Sequence, residues 1–352
     1  MDYHPVVERL YFDANATVPP LPQVVEVVSS AMREVWGNPT STHGEGQRAR
    51  FLIEEARRSL AENLGVASAE LIFCASATEA LHLLIRGLRP ALGDEPASAF
   101  PGEHSACLNP LKDWTRLSWL PVADAGTRTV AQMAANNETG IIYDMPQVPG
   151  AIRLRDCAQA WGKVAVDLSS CDSAVFSGHK IGGPRGSALL WMRSGLPWTP
   201  VLEGPQERRR RGGTEDLPAI LGLAEAARHL PERLEAHARL HALRDAFEAE
   251  VLAWDAGWEV VGRLAERLPN TSCLIFRGRS GEALHMALDL DGFAVSTGSA
   301  CHSGATKPSH ALTTLGYSEA EARSALRISF LPDATEDQVS RLVDALRKIL
   351  AR

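Results

Sequence analysis

Ser173-Ala174-Val175-Phe176-Ser177-Gly178-His179-Lys180 decides the fold. The run Ser173–Phe176 reads as a short buried strand, and it ends in a polar cluster that closes on a lysine. In open α/β sheets, ligands bind beyond the carboxyl ends of the strands. A lysine in that place is either a surface charge or a covalent amine. Taken alone it reads as the former, because lysine is usually solvated; its flanks reverse the balance.

Working outward, further short apolar runs lie at Leu71–Cys74, Ala151–Leu154 and Ser187–Met192, with helical periodicity between them. Glu45 to Leu64 carries apolar residues at helical spacing and stops at Gly65, and a second helix runs from Ala77 to about Leu88. Strands alternating with helices predict an α/β fold with a mostly parallel sheet covered on both faces. The texture changes near Leu230. Pro231 to Leu252 is charged and periodic and predicts one long helix. Shorter strands follow at Asn270–Phe276, Phe293–Thr297 and Leu326–Phe330, then a closing helix from Thr335, whose spacing to Gln338 is that of a capping box. The expected organisation is a large α/β domain over residues 1–225 and a smaller α+β domain over 226–352, with the first 20 or so residues packing on either.

At 352 residues the chain exceeds one typical core, in keeping with two domains. Hydrophobic residues at 45% and charged residues at 22% are the balance of a globular enzyme. A net charge of -7 argues against a general nucleic-acid binder. The N-terminus lacks the basic-then-apolar order of a secretory signal, and no apolar run approaches the roughly 18 residues that cross a bilayer. The expectation is a cytoplasmic protein with no membrane contact. Six cysteines without a close CxxC pair read as free thiols, neither a disulfide frame nor a zinc site, so no metal is expected.

Several residues have the chemistry of a cofactor site. Asp156 follows the strand Ala151–Leu154 and serves equally as a helix cap or as a carboxylate that holds a ring proton. Ser76-Ala77-Thr78 opens a helix, where first-turn amides and the dipole favour a phosphate. Arg327 suits a strand-end ion pair or the grip on a substrate carboxylate. Cys74, Cys171 and Cys273 read as buried thiols. Cys301, in the small and Gly-rich stretch Ser296–Gly304 beside His302, fits an exposed setting, either as a surface thiol or as a nucleophile.

The strings FDANATVPP, GNPTSTHG, NNETG, SGHKIGGPRG, QERRRRGGTED, STGSACHSG and LRISF resemble, in this order, the cysteine desulfurases, class V members of the fold-type I pyridoxal-phosphate (PLP) transferases. The likeness runs from about Tyr11 to about Leu346. It implies that Lys180 forms a Schiff base with PLP, that Asp156 pairs with the pyridine nitrogen and that Gln159 bonds the phenolic oxygen. It also implies that His104 stacks on the ring, that Ala77, Thr78, Ser177 and His179 hold the phosphate, and that Thr214 reaches the phosphate of a second subunit in a homodimer. Asn137 would sit near cofactor and substrate, and Arg327 would grip the substrate carboxylate. In the implied reaction L-cysteine displaces Lys180, which then acts as base, and the Cys301 thiolate takes the substrate sulfur, leaving a persulfide and alanine. The persulfide then passes to a sulfur-acceptor protein for iron–sulfur cluster assembly or thiolation.

The resemblance is incomplete. Ala14 stands where the family commonly has a second asparagine, Ser76 replaces a usual glycine, and the intervals from His104 to Asn136 and from Asn137 to Asp156 are each short by about one helix. The basic run Arg208–Arg211 reads as a solvated or subunit-contacting loop and not as a direct nucleic-acid contact. Competing readings are another class V enzyme (an aminotransferase, a β-lyase or a selenocysteine lyase), a non-catalytic sulfur-trafficking paralogue, and a redox sensor at Cys301. The stretch GSAC argues against the first, since transamination needs no second nucleophile.

Overall fold

The computed structural model describes residues 9–121, 123, 126–297 and 308–351. It divides into two compact units, each described here by itself: one of residues 19–134 and 143–232, the other of residues up to 18, 135–142 and from 233 onward.

The larger unit is built on a seven-stranded sheet in the spatial order Leu71–Cys74, Ala188–Met192, Ser173–Ser177, Ile152–Asp156, Thr129–Ala131, Ala97–Ala99, Leu117–Trp119. Pairing is parallel from Ser173–Ser177 outward, while Ala188–Met192 runs antiparallel to both its neighbours. The sheet is therefore mostly parallel, as expected. One face carries Ile72, Val175, Leu154, Ala131 and Ala99, buried under the helices Ala77–Leu92 and Ser105–Leu111 through Leu81, Leu84, Ile85 and Leu88. On the other face Trp161 packs edge-on against Phe176 at 5.1 Å. The helix Gly44–Leu64 ends where expected, because Gly65 adopts φ +67°, a left-handed conformation that costs glycine little.

Two boundaries differ from expectation in a way that matters. The strand expected at Ala151–Leu154 runs on through Asp156, so Asp156 is its last residue and not one that follows it. The strand from Ser173 likewise includes Ser177. In both cases the ladder to the neighbouring strand continues past the last apolar side chain. Phe293–Thr297 is reduced to Phe293–Ala294, since its parallel partner Leu10–Tyr11 is only two residues long.

The smaller unit holds the antiparallel sheet Glu259–Val260, Thr271–Ile275, Ala325–Ser329, packed with the helices Gly281–Leu290 and Glu336–Leu350. Phe12 is buried here, edge-on to Phe330 at 5.8 Å. The closing helix has the capping box of Thr335 and Gln338 that its spacing announced. Residues 135–142 form a turn stitched to this unit: Asn136 Oδ1 accepts from the N–H of Glu138 and Thr139, and the Leu268 N–H donates to the Gly140 carbonyl at 2.7 Å. Among the described residues no helix is long and apolar enough to cross a membrane.

Candidate active site

Because Leu71–Cys74 and the five parallel strands point the same way, their carboxyl ends share one edge of the larger unit's sheet. Chemistry-bearing residues leave that edge one after another. Asp156 ends its strand, and Lys180 closes the 3-10 turn Gly178–Lys180 directly after Ser173–Ser177. Gly178 has to be glycine, since a Cβ there would lie 2.1 Å from Ser187 Oγ. That close approach brings the Lys180 turn down onto the neighbouring strand.

Asp156 is buried and its Oδ1 accepts from the Ala158 N–H at 2.9 Å. Burial raises its pKa, opposed by that hydrogen bond and by the charges of His104 and Lys180. Asp156, His104 and Lys180 thus act on one another at a single place. His104 caps the helix Ser105–Leu111, its Nδ1 accepting from the Ala106 N–H at 3.1 Å, which leaves the proton of the neutral ring on Nε2. Burial, aided by Lys180 and Arg185, pushes His179 down to about 4, so its imidazole is neutral at pH 7.

Gln159 is buried, and its Oε1 accepts from Lys163 Nζ at 2.7 Å. The ammonium thereby orients the amide with its NH₂ as the donating end. Lys163, 2% exposed, escaped the sequence reading, which has no local signal for a buried lysine. Ser76 caps the helix Ala77–Leu92 through its hydroxyl, replacing a glycine without loss of the cap. The amides of Ala77 and Thr78 open this helix, in the first turn where no intrahelical carbonyl reaches them.

Thr214 is exposed and follows a strained loop in which Glu207, Arg208 and Arg209 all have positive φ. The basic run before it is largely committed within the unit: Arg208 pairs with Glu54, Arg211 with Glu79, and Arg210 donates to the Leu71 carbonyl.

In the smaller unit Arg327 lies on Ala325–Ser329 and is 4% exposed. Its Nη2 donates to Asp13 Oδ1 at 2.5 Å and its Nη1 to the Asn137 carbonyl at 2.9 Å, while its Nε is buried with no partner among the described residues. Asn15 Nδ2 donates to the same Asn137 carbonyl. Asp13 was not singled out from the sequence; only the ion pair reveals it. Ser296 pairs with Arg327 through two backbone hydrogen bonds. Cys301, expected to be the nucleophile, lies outside the described residues. The other five cysteines are all buried, and burial raises the pKa of every one of them.

The aminotransferase class-V family model matches residues 10–342. The chain belongs to this family. Class-V relatives include the cysteine desulfurase of Cereibacter sphaeroides, 34% identical over 98% of this chain and 96% of the relative. Another is the putative cysteine desulfurase IscS 1 of Bacillus subtilis, 32% identical over 98% of this chain and all of the relative. Among solved structures, a NifS-like protein from Rickettsia africae superposes with a TM-score of 0.87 at 28% identity, covering 98% of this chain and 100% of its own. SspA in complex with cysteine superposes with a TM-score of 0.77 at 26% identity over 92% of this chain and 99% of its own.

Proposed function

We propose that this chain is a PLP-dependent cysteine desulfurase, acting in the cytoplasm as a homodimer and passing sulfur to an acceptor protein. The observation that carries this reading is Asp156, a buried carboxylate closing a sheet strand, with a lysine and a histidine acting on it. Relatives named cysteine desulfurase along nearly the whole chain support the same reading.

The donor set fits PLP. Lys180 supplies the amine that joins the aldehyde, Asp156 the carboxylate for the pyridine nitrogen, and Gln159 a donor oriented by Lys163 for the phenolic oxygen. The first-turn amide of Thr78, with Ala77, Ser177 and the neutral His179, would take the phosphate, and Thr214 would serve a second subunit. When bound, PLP supplies an electron sink that weakens the bonds at the substrate's Cα. Lys180 Nζ would be the base that takes the substrate's Cα proton, and Asp156 would hold a proton at the pyridine nitrogen. His104, whose Nδ1 accepts from the Ala106 N–H, would face the ring and move protons through Nε2. Cys301 as thiolate attacks the substrate sulfur; an S–S bond forms as the Cβ–S bond breaks, and alanine leaves after Cβ gains a proton.

Incubation with L-cysteine, PLP and a reductant tests the proposal. Wild type is expected to release alanine and sulfide in equal amounts, and Cys301→Ala to lose sulfide release while keeping the visible cofactor band. Pyruvate or another keto acid as the main product would replace this reading by another class V activity.

Arg327 is assigned to the substrate carboxylate, and Asp13 already holds one prong of its fork. Charge-assisted pairs of this kind set geometry as well as affinity. Arg327→Lys is therefore expected to raise KM for L-cysteine by roughly 10-fold or more, the equivalent of about 1.4 kcal/mol. Asp13→Asn is expected to shift KM far less than Arg327→Lys, because the guanidinium keeps the Asn137 carbonyl. Equal KM values for Arg327→Lys and wild type would remove Arg327 from this role.

A further inference from the structure

The residue immediately before His104 is a carboxylic acid with no exposure at all. Glu103 Oε1 accepts from the Met133 N–H, and its backbone N–H donates to the Phe100 carbonyl. Met133 sits between Gln132 and Ala134, whose N–H groups donate to the carbonyls of Leu154 and Asp156. Glu103 is thereby tied to the same strand end that carries Asp156, and the Asp156 charge acts on it. Two carboxylates in a buried place cannot both ionise cheaply. Asp156 has the better claim to the charge, through the Ala158 N–H, His104 and Lys180.

We propose that Glu103 is a positioning residue of the active site: its uncharged carboxyl ties the turn carrying His104 to the strand end carrying Asp156, and leaves Asp156 the charged member of the pair. Burial first, then the Asp156 charge, pushes Glu103 up to about 8, against the pull of the Met133 N–H, Cys107 and Arg155. The titratable and charged groups acting on it are accordingly Cys107 on the helix that follows and Asp156 and Arg155 on the strand Ile152–Asp156. Near neutral pH Glu103 keeps its proton. Above pH 8 the pair becomes doubly charged, and Asp156 meets a like charge beside it.

The sign of the stability effect follows. With a folded pKa above the unfolded value, the native chain binds more protons than the unfolded one between about pH 4.5 and 8, so stability falls as pH rises through that window. Glu103→Gln keeps the shape and cannot ionise. Melting of the full-length chain without cofactor is expected to give similar midpoints for wild type and Glu103→Gln near pH 5. The gap should then widen in favour of Glu103→Gln by roughly 2 °C per pH unit, and level off above pH 8. A gap independent of pH, as a purely structural hydrogen bond would give, overturns the proposal. Infrared difference spectra between wild type with ¹³C-labelled glutamate and Glu103→Gln supply a second arm. A protonated carboxyl band at pH 7 that is lost by pH 9 supports the proposal, and a carboxylate band already present at pH 7 overturns it. Both arms are read on the chain without PLP. A failure of the cofactor reading, seen as no visible band in wild type, is thus distinguishable from a failure here. With PLP bound, the positioning role adds that the visible band of wild type shifts with pH near 8 and that of Glu103→Gln does not.

Discussion

Lys180→Ala is expected to remove the visible absorption that wild type acquires with PLP and to slow alanine formation by at least about 10⁴-fold, the upper end of what one positioned acid–base group contributes. Both losses have one cause. Lys180 closes the turn at the carboxyl edge of the sheet, and the proposed function gives its Nζ two duties: joining the cofactor aldehyde and taking the Cα proton. Alanine at that position supplies neither an amine to attach nor a base. The Asp156 carboxylate also loses the Lys180 charge that helps offset its burial, so its pKa rises further and its hold on the ring proton weakens. Absorption spectra of the variant mixed with PLP, together with alanine measured after L-cysteine is added, check both consequences. Alanine formed at the wild-type rate by Lys180→Ala would end the assignment.

Glu207→Ala is expected to destabilise the protein by about 3–5 kcal/mol, as breaking a buried ion pair does when one charge is left behind. Arg57 and Glu207 are 2% and 3% exposed and form two parallel hydrogen bonds of 2.8 Å each. Glu207 Oε2 also accepts from the Phe73 N–H at 2.9 Å, Arg57 donates to the Leu71 carbonyl, and its guanidinium lies 4.5 Å over the Phe73 ring. Burial works to lower the Arg57 pKa, and the hydrogen bonds and charges of Glu207 and Glu54 together more than offset it; a guanidinium does not lose its proton in proteins, paired or not. The pair also holds the strained loop of positive φ that leads to Thr214, a conformation costing of order 1–3 kcal/mol per residue elsewhere. Denaturant unfolding is the measurement. The double variant Arg57→Met/Glu207→Leu should lose less than Glu207→Ala, because it leaves no orphaned charge. A loss below about 1 kcal/mol for Glu207→Ala would show that water reaches Arg57.

Much of this was legible along the chain. Leu71–Cys74 is an unbroken apolar run and forms the strand with the expected ends. The helix from Ala77 shows its apolar stripe, although it continues to Leu92 through Pro90 in its last turn. The capping box at Thr335 needs only local spacing. Three strands carried no such mark: Ala97–Ala99, Leu117–Trp119 and Thr129–Ala131 are three residues each and rich in Ala, Ser and Thr. Strands that short acquire their identity from the ladders on either side. Residues 135–142 were equally opaque, since the hydrogen bonds that attach NNETG to the smaller unit come from Leu268 and Glu266.

What the sequence by itself determined was the inventory and its order: a lysine after a strand, an aspartate at the end of another, a histidine before a helix, and strings that match a family from one end to the other. Only the tertiary structure decided the state in which those groups exist. Glu103, Lys163, Arg57 and Glu207 look like ordinary surface charges when read along the chain, and all four are buried. A side chain's charge depends on the water it has lost and on the charges beside it. For Glu103 the charge comes from Asp156, the last residue of one strand, and the hydrogen bond from the Met133 N–H just beyond another, so no local pattern records them.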